Sequence, residues 1–188
     1  MRRAGLAKTA LLAVVVIGAA AAAASIVVAP GLNGLAGAVL AVICLTIAIF
    51  DYRQMIIPDE LNAFALIAGL AAAGLDFSPA NAVLAALARA GGMFAAFFAF
   101  RFAYRRLRGL EGMGLGDVKL AAVAGAWLDW PQLPAAVNIA ALSALTVALF
   151  ARLRGRKLEW TAKLPFGVFF APSIWACWWL AAWRDAAM

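Results

Sequence analysis

An aspartate and a lysine close a run of alternating glycines at Gly112-Met113-Gly114-Leu115-Gly116-Asp117-Val118-Lys119. The run leads into an apolar segment, where an acid is costly enough to be a functional hypothesis by default. A second acid, Asp51, ends another apolar run and opens Asp51-Tyr52-Arg53-Gln54-Met55-Ile56-Ile57-Pro58-Asp59. Two carboxyls in one partly desolvated site cannot both ionise easily, so one proton is held between them. One then acts as general base on a water while the other protonates or polarises a carbonyl. Such chemistry needs no Ser, Cys or His nucleophile, and the chain has no histidine.

Each residue also has a plainer reading. Asp51 would mark a helix end, although a carboxylate there meets the negative end of the macrodipole. Asp117 would be the N-cap of the helix that follows, and Asp59, after Pro58, the N-cap of an earlier one. Gly114 and Gly116 leave bare backbone that can approach an extended peptide or adopt positive φ. A flexible linker explains glycines but not their position directly before an acid and a lysine. Lys119 either favours the charged form of Asp117 or marks the membrane interface. Glu111 reads as a solvated loop residue. Arg89, inside an apolar run, snorkels outward or pairs with Asp76. Cys44 and Cys177 sit in apolar runs and read as buried small hydrophobes. Without histidine or a CxxC pair a Cys/His zinc site is excluded, and no metal or other cofactor is expected.

The elements that must position these groups follow from composition. Of 188 residues, 67% are hydrophobic and 13% charged, against about 45–50% and about 25% in soluble domains. Apolar runs of roughly 20 residues match a bilayer, and in lipid they must be helical unless they close a barrel. Period-two alternation is absent. The expectation is an all-α, polytopic transmembrane helical bundle forming one membrane domain over 1–188, with helices near 9–29, 34–50, 60–75, 81–104, 117–129, 134–151 and 164–183. The fifth is short. The first also resembles a cleavable signal, which would leave six helices, but its apolar run is long for that and a retained helix is expected. Alanine runs at 19–24 and 71–73 suit close helix packing, and Trp127, Trp130, Trp160, Trp175 and Trp183 suit interfacial belts.

The net charge of +7 lies in short clusters at segment ends, which is how topology is encoded; no groove-reading motif is present, and no nucleic-acid partner is expected. With the N-terminus cytoplasmic, Arg53, the arginines at 101, 105, 106 and 108, Lys119 and the basic stretch at 152–163 fall inside. Asp76, Asp129 and Asp185 fall outside. Counting crossings then places Asp51 and Asp117 at one face although 66 residues separate them.

Taken together, Asp51 with Pro58-Asp59, then Gly114-Leu115-Gly116-Asp117-Val118-Lys119, then Leu164-Pro165-Phe166-Gly167 resembles the type IV prepilin peptidase family of GxGD-type intramembrane aspartic peptidases. The likeness covers roughly 34–183 and leaves 1–33 as an extra N-terminal helix. It implies a catalytic dyad at Asp51 and Asp117, with Gly114, Gly116, Lys119 and Asp59 in support. It also implies cleavage of the basic leader from prepilins or pseudopilins, of pilus or type II secretion kind, at the cytoplasmic face of the bacterial inner membrane. Bifunctional members carry paired CxxC motifs and methylate the new N-terminus; without them, methylation is not expected here. The rival readings are a cation- or proton-coupled transporter, a non-catalytic pilus or secretion assembly factor, and a metal-dependent membrane peptidase.

Overall fold

The computed structural model describes residues 2–110, 112–154 and 165–188, excepting the side chains of 2–11. Among these described residues seven helices follow in order: α1 (Arg2–Val28), α2 (Leu32–Gln54), α3 (Asp59–Ala73), α4 (Pro79–Arg108), α5 (Leu115–Trp127), α6 (Gln132–Leu153) and α7 (Gly167–Ala187). Among the described residues there is no strand. The expected segments all appear, with ends displaced by up to four residues, except that α1 begins seven residues earlier than expected. Glu111, Trp160 and the expected features within 155–164 lie outside the described residues.

Three helices, α2, α4 and α6, are long and apolar enough to cross a bilayer. The chain is a multi-pass membrane protein. At 13 residues α5 is about 20 Å long, short of the roughly 30 Å hydrocarbon core. It is instead the central helix, packed by α3, α4 and α7. Its run from Val118 to Trp127 is almost wholly buried. A helix apolar on every side belongs inside a bundle, and the small residues of α5 let its neighbours close in. Gly125 is the tighter of the two glycine contacts on α5: a Cβ there would lie 2.5 Å from the Arg89 carbonyl.

That crossing corrects two expectations. Arg89 pairs with Asp129 rather than Asp76, at 3.1 Å, and its Nε donates to the Gly125 carbonyl at 3.2 Å. Trp127 is no belt residue either. It is buried against Gly69, and its indole donates to the Ala65 carbonyl at 2.9 Å. Trp130 and Trp183 are exposed as a belt requires. Trp175 is half-buried and donates to Ser25 Oγ at 3.0 Å, tying α7 to α1. Cys44 and Cys177 are free, buried thiols, as expected.

Candidate active site

The last turn of α2, the first turns of α3 and α5 and the start of α7 meet at one end of the bundle. α2 does not stop at Asp51 but runs on to Gln54. Met55 then takes left-handed backbone, φ 53°, and donates to the Asp51 carbonyl. Asp51 is thereby held inside the helix, 5% exposed, rather than at its frayed end. Its side chain meets the N-terminus of α7: Val168 N–H donates to Asp51 Oδ2 at 3.0 Å, and the Gly167 backbone contributes a second interaction. A helix N-terminus is a ready site for an anion. α7 therefore offsets the unfavourable dipole of the helix that carries Asp51.

Gly167 is needed for that approach. A Cβ on it would lie 2.8 Å from both Asp51 Oδ2 and Ile57 Cδ1. Buried Ile57, from the α2–α3 connection, is also the neighbour of Gly116, whose added Cβ would lie 3.0 Å from Ile57 Cβ. Ile57 is thus wedged between the glycine that admits Asp51 and the glycine that precedes Asp117. The two carboxyls are close enough to act on one another electrostatically.

Asp117 lies in the first turn of α5, but the N-cap is Gly114 and has extended backbone. Asp117 instead interacts back with the Gly114 backbone, the reach made by the third-position acid of a capping box. Its Oδ1 is buried with no hydrogen-bond partner among the described residues. A buried acceptor left this way costs about 1–3 kcal/mol, so the site holds a polar oxygen that the fold does not satisfy.

The glycine run departs from expectation. Positive φ occurs at Gly31 and Gly109 among the described glycines, and not at Gly112, Gly114 or Gly116. The Tyr104 ring occupies the space beside Gly112, 2.6 Å from an added Cβ, and Ile57 occupies that beside Gly116. Gly116 therefore lets Ile57 pack closely against the first turn of α5. Only Gly114 is exposed with just Asp117 and the Gly116 nitrogen near it. Arg101 on α4 donates to the Met113 carbonyl and fastens the run from the other side.

Asp59 and Lys119 also change roles. Asp59 is the first residue of α3, after an N-cap at Pro58 without a side-chain cap bond. Its Oδ1 pairs with Lys119 Nζ at 2.6 Å, so Lys119 answers Asp59 and not Asp117. Three contributors escaped sequence reasoning. Gly167 was legible only as part of a motif, and Ile57 carried no signal. Asn62, whose Nδ2 donates to the Gly116 carbonyl at 3.3 Å, was the one with a usable sign, an amide within an apolar segment.

The family model described as the type IV leader peptidase family matches residues 38–149, a span that contains both Asp51 and Asp117. The chain belongs to the type IV leader peptidase family. A protein named prepilin leader peptidase/N-methyltransferase from Burkholderia pseudomallei is 40% identical over 147 residues, 74% of this chain and 46% of its own length. The protein of that name from Pectobacterium carotovorum subsp. carotovorum is 37% identical over 145 residues, 76% of this chain and 50% of the relative. The one from Aeromonas salmonicida is 33% identical over 171 residues, 89% of this chain and 54% of the relative. The chain spans about half the length of the curated relatives it matches. No solved structure matches it.

Proposed function

We propose that this member of the family is an aspartic endopeptidase that removes the leader from prepilin-type substrates, with Asp51 and Asp117 as the catalytic pair. The observation that carries the reading is their meeting, from helices far apart in sequence, at one end of the bundle, where backbone N–H groups receive one and a buried oxygen of the other is unengaged. The pair shares a proton. The ionised member takes a proton from water, which attacks the scissile carbonyl while the protonated member donates to the carbonyl oxygen; the C–N bond then breaks as the proton taken from water passes to the leaving amine, and one hydroxyl of the adduct returns its proton to the pair. The relatives' names supply prepilin as the substrate class. Their second named activity, methyl transfer, is not carried over, because the match covers about half of each relative.

The site faces the cytoplasm, in the inner membrane of a bacterium. Support comes from charge: the last turns of α2, α4 and α6 carry Arg53, then Arg105, Arg106 and Arg108, then Arg152. Those turns lie at the end of the bundle that holds the two aspartates, as positive-inside topology requires. The basic leader of the substrate then stays in the cytoplasm while its apolar helix lies among the helices of the enzyme.

Co-expression with a prepilin tests this directly. Asp51→Asn and Asp117→Asn should each abolish leader removal, read by gel shift and by the N-terminal sequence of the product, at unchanged membrane abundance. Processing by both single variants would refute the pair. Ion flux in proteoliposomes without cleavage would favour a transporter, and full pilus assembly by the double variant an assembly factor. Loss of processing under a strong chelator would point to a metal-dependent peptidase.

A further inference from the structure

Asn62 lies on α3, one turn after Asp59, and is 3% exposed. Its Nδ2 donates to the Gly116 carbonyl at 3.3 Å across to α5. Its Oδ1 is buried and, like Asp117 Oδ1, has no hydrogen-bond partner among the described residues. Those two oxygens belong to residues linked through a single peptide, because Gly116 immediately precedes Asp117. An amide buried beside hydrocarbon with half its capacity unused is a costly choice for a structural role alone.

α3 grips the first turn of α5 on both sides of Asp117. Asn62 holds the carbonyl before it, and Asp59 holds Lys119 two residues after it. The second grip is solvent-exposed, whereas the first is part-buried and directional. The Gly116 carbonyl is also the atom that fixes the peptide plane leading into Asp117, so its orientation sets where the Asp117 carboxyl emerges. Ile57 presses on the same glycine from the α2–α3 connection but supplies only bulk.

We propose that Asn62 is a positioning residue for Asp117: from α3 its amide fixes the Gly116 carbonyl, and its dipole, buried beside that peptide, tunes the carboxyl of the next residue. This rests on the peptidase reading for its consequence in catalysis, but not for its effect on Asp117 itself. The charged groups at this end of the bundle, besides Asp117 itself, are Asp51 and Arg53 on α2, Asp59 and Glu60 on α3, Arg101, Arg105, Arg106 and Arg108 on α4, Lys119 on α5 and Arg152 on α6. Replacing Asn62 by leucine removes none of them. Any change in the titration of Asp117 therefore reports the amide and not an altered charge.

Two readouts on the full chain in detergent keep this inference separate from the function. The first is the pH profile of kcat and KM for cleavage of a prepilin by wild type, Asn62→Leu and the smaller Asn62→Ala. The expected result is a fall in kcat of about 10-fold or more with KM within about twofold, the pattern of a lost transition-state interaction, and a displaced profile. The second is the titration midpoint of Asp117 followed by carbon-13 labelling of aspartate side chains, assigned with Asp117→Asn. It should move by about half a pH unit or more in whichever variant folds. An unchanged midpoint overturns the proposal, even if kcat falls, because Asn62 would then be merely a packing residue. If wild type cleaves no prepilin, the peptidase reading fails, and the midpoint alone decides for or against Asn62.

Discussion

At the end of the bundle away from the glycine run, Asp129 is 68% exposed and pairs with Arg89, whose side chain is 12% exposed. The guanidinium is the buried partner, and it is spent on one carboxylate and one backbone carbonyl. At the other end Asp51 is buried and received by the backbone of α7, while half-buried Asp117 reaches the Gly114 backbone and lies in the repulsive field of Asp51. One end has neutralised its charge to hold α4 against α5. The other has gathered like charges into one place and left an oxygen of each of two residues, Asn62 and Asp117, unmatched. A fold tolerates that expense where the unmatched groups act on something else. Membrane location alone therefore does not mark a functional acid; the kind of partner does.

The comparison breaks most visibly at the acids themselves. Asp51→Asn and Asp117→Asn keep size and remove the proton chemistry, so cleavage should fall by about 10³-fold or more, measured as initial rate with purified protein. Next in size is Gly167→Val. The added Cβ would press on Asp51 Oδ2 and Ile57 Cδ1 at once, displacing the carboxyl from the N-terminus of α7. A misplacement of about 1 Å costs on the order of 10²-fold in rate, and the helical circular dichroism of the variant should match wild type. Full activity in Gly167→Val would show that α7 does not set Asp51.

These two changes also mark how far the sequence could be read. The all-α bundle, its seven segments and the placing of Asp51 and Asp117 at one end followed from apolar run lengths and from counting crossings. Those depend on the solvent, which imposes helices and two faces. What stayed hidden depends on packing between helices. Nothing in the run Ile56-Ile57-Pro58 says that Ile57 touches two glycines more than 50 and more than 100 residues away. The partner of Lys119 was equally hidden, since Asp59 and Asp117 are both within reach of a lysine in principle. Gly114 and Gly116 read alike in sequence yet differ in space, one exposed and one filled by Ile57.

The opposite half should fail differently. At Gly125→Leu the first added carbon would sit 2.5 Å from the Arg89 carbonyl and 2.6 Å from Ala90 Cα, both backbone atoms that cannot swing aside. Overpacking of this kind costs about 1–3 kcal/mol or more. The variant should show a lowered thermal midpoint in detergent and less protein in the membrane, while the rate per folded molecule stays near wild type. A large loss of rate at unchanged stability would mean that the two ends are coupled, and the separation drawn above would fail.

The smallest effect is expected where sequence reasoning was most divided. Lys119 and Asp59 are 2.6 Å apart, but their side chains are 39% and 70% exposed. A pair this open to solvent contributes about 0–1 kcal/mol, and salt screens it further. Lys119→Met and Asp59→Asn should each change thermal stability and rate only slightly, by less than about threefold in rate. The double variant should resemble either single, with a coupling below about 1 kcal/mol. The informative outcome is asymmetry. If Lys119→Met were crippling while Asp59→Asn was harmless, the lysine would serve Asp117 during turnover rather than its partner at rest. The site end would then contain a cation answering a catalytic acid, as Arg89 answers Asp129, and the contrast between the two ends would be lost.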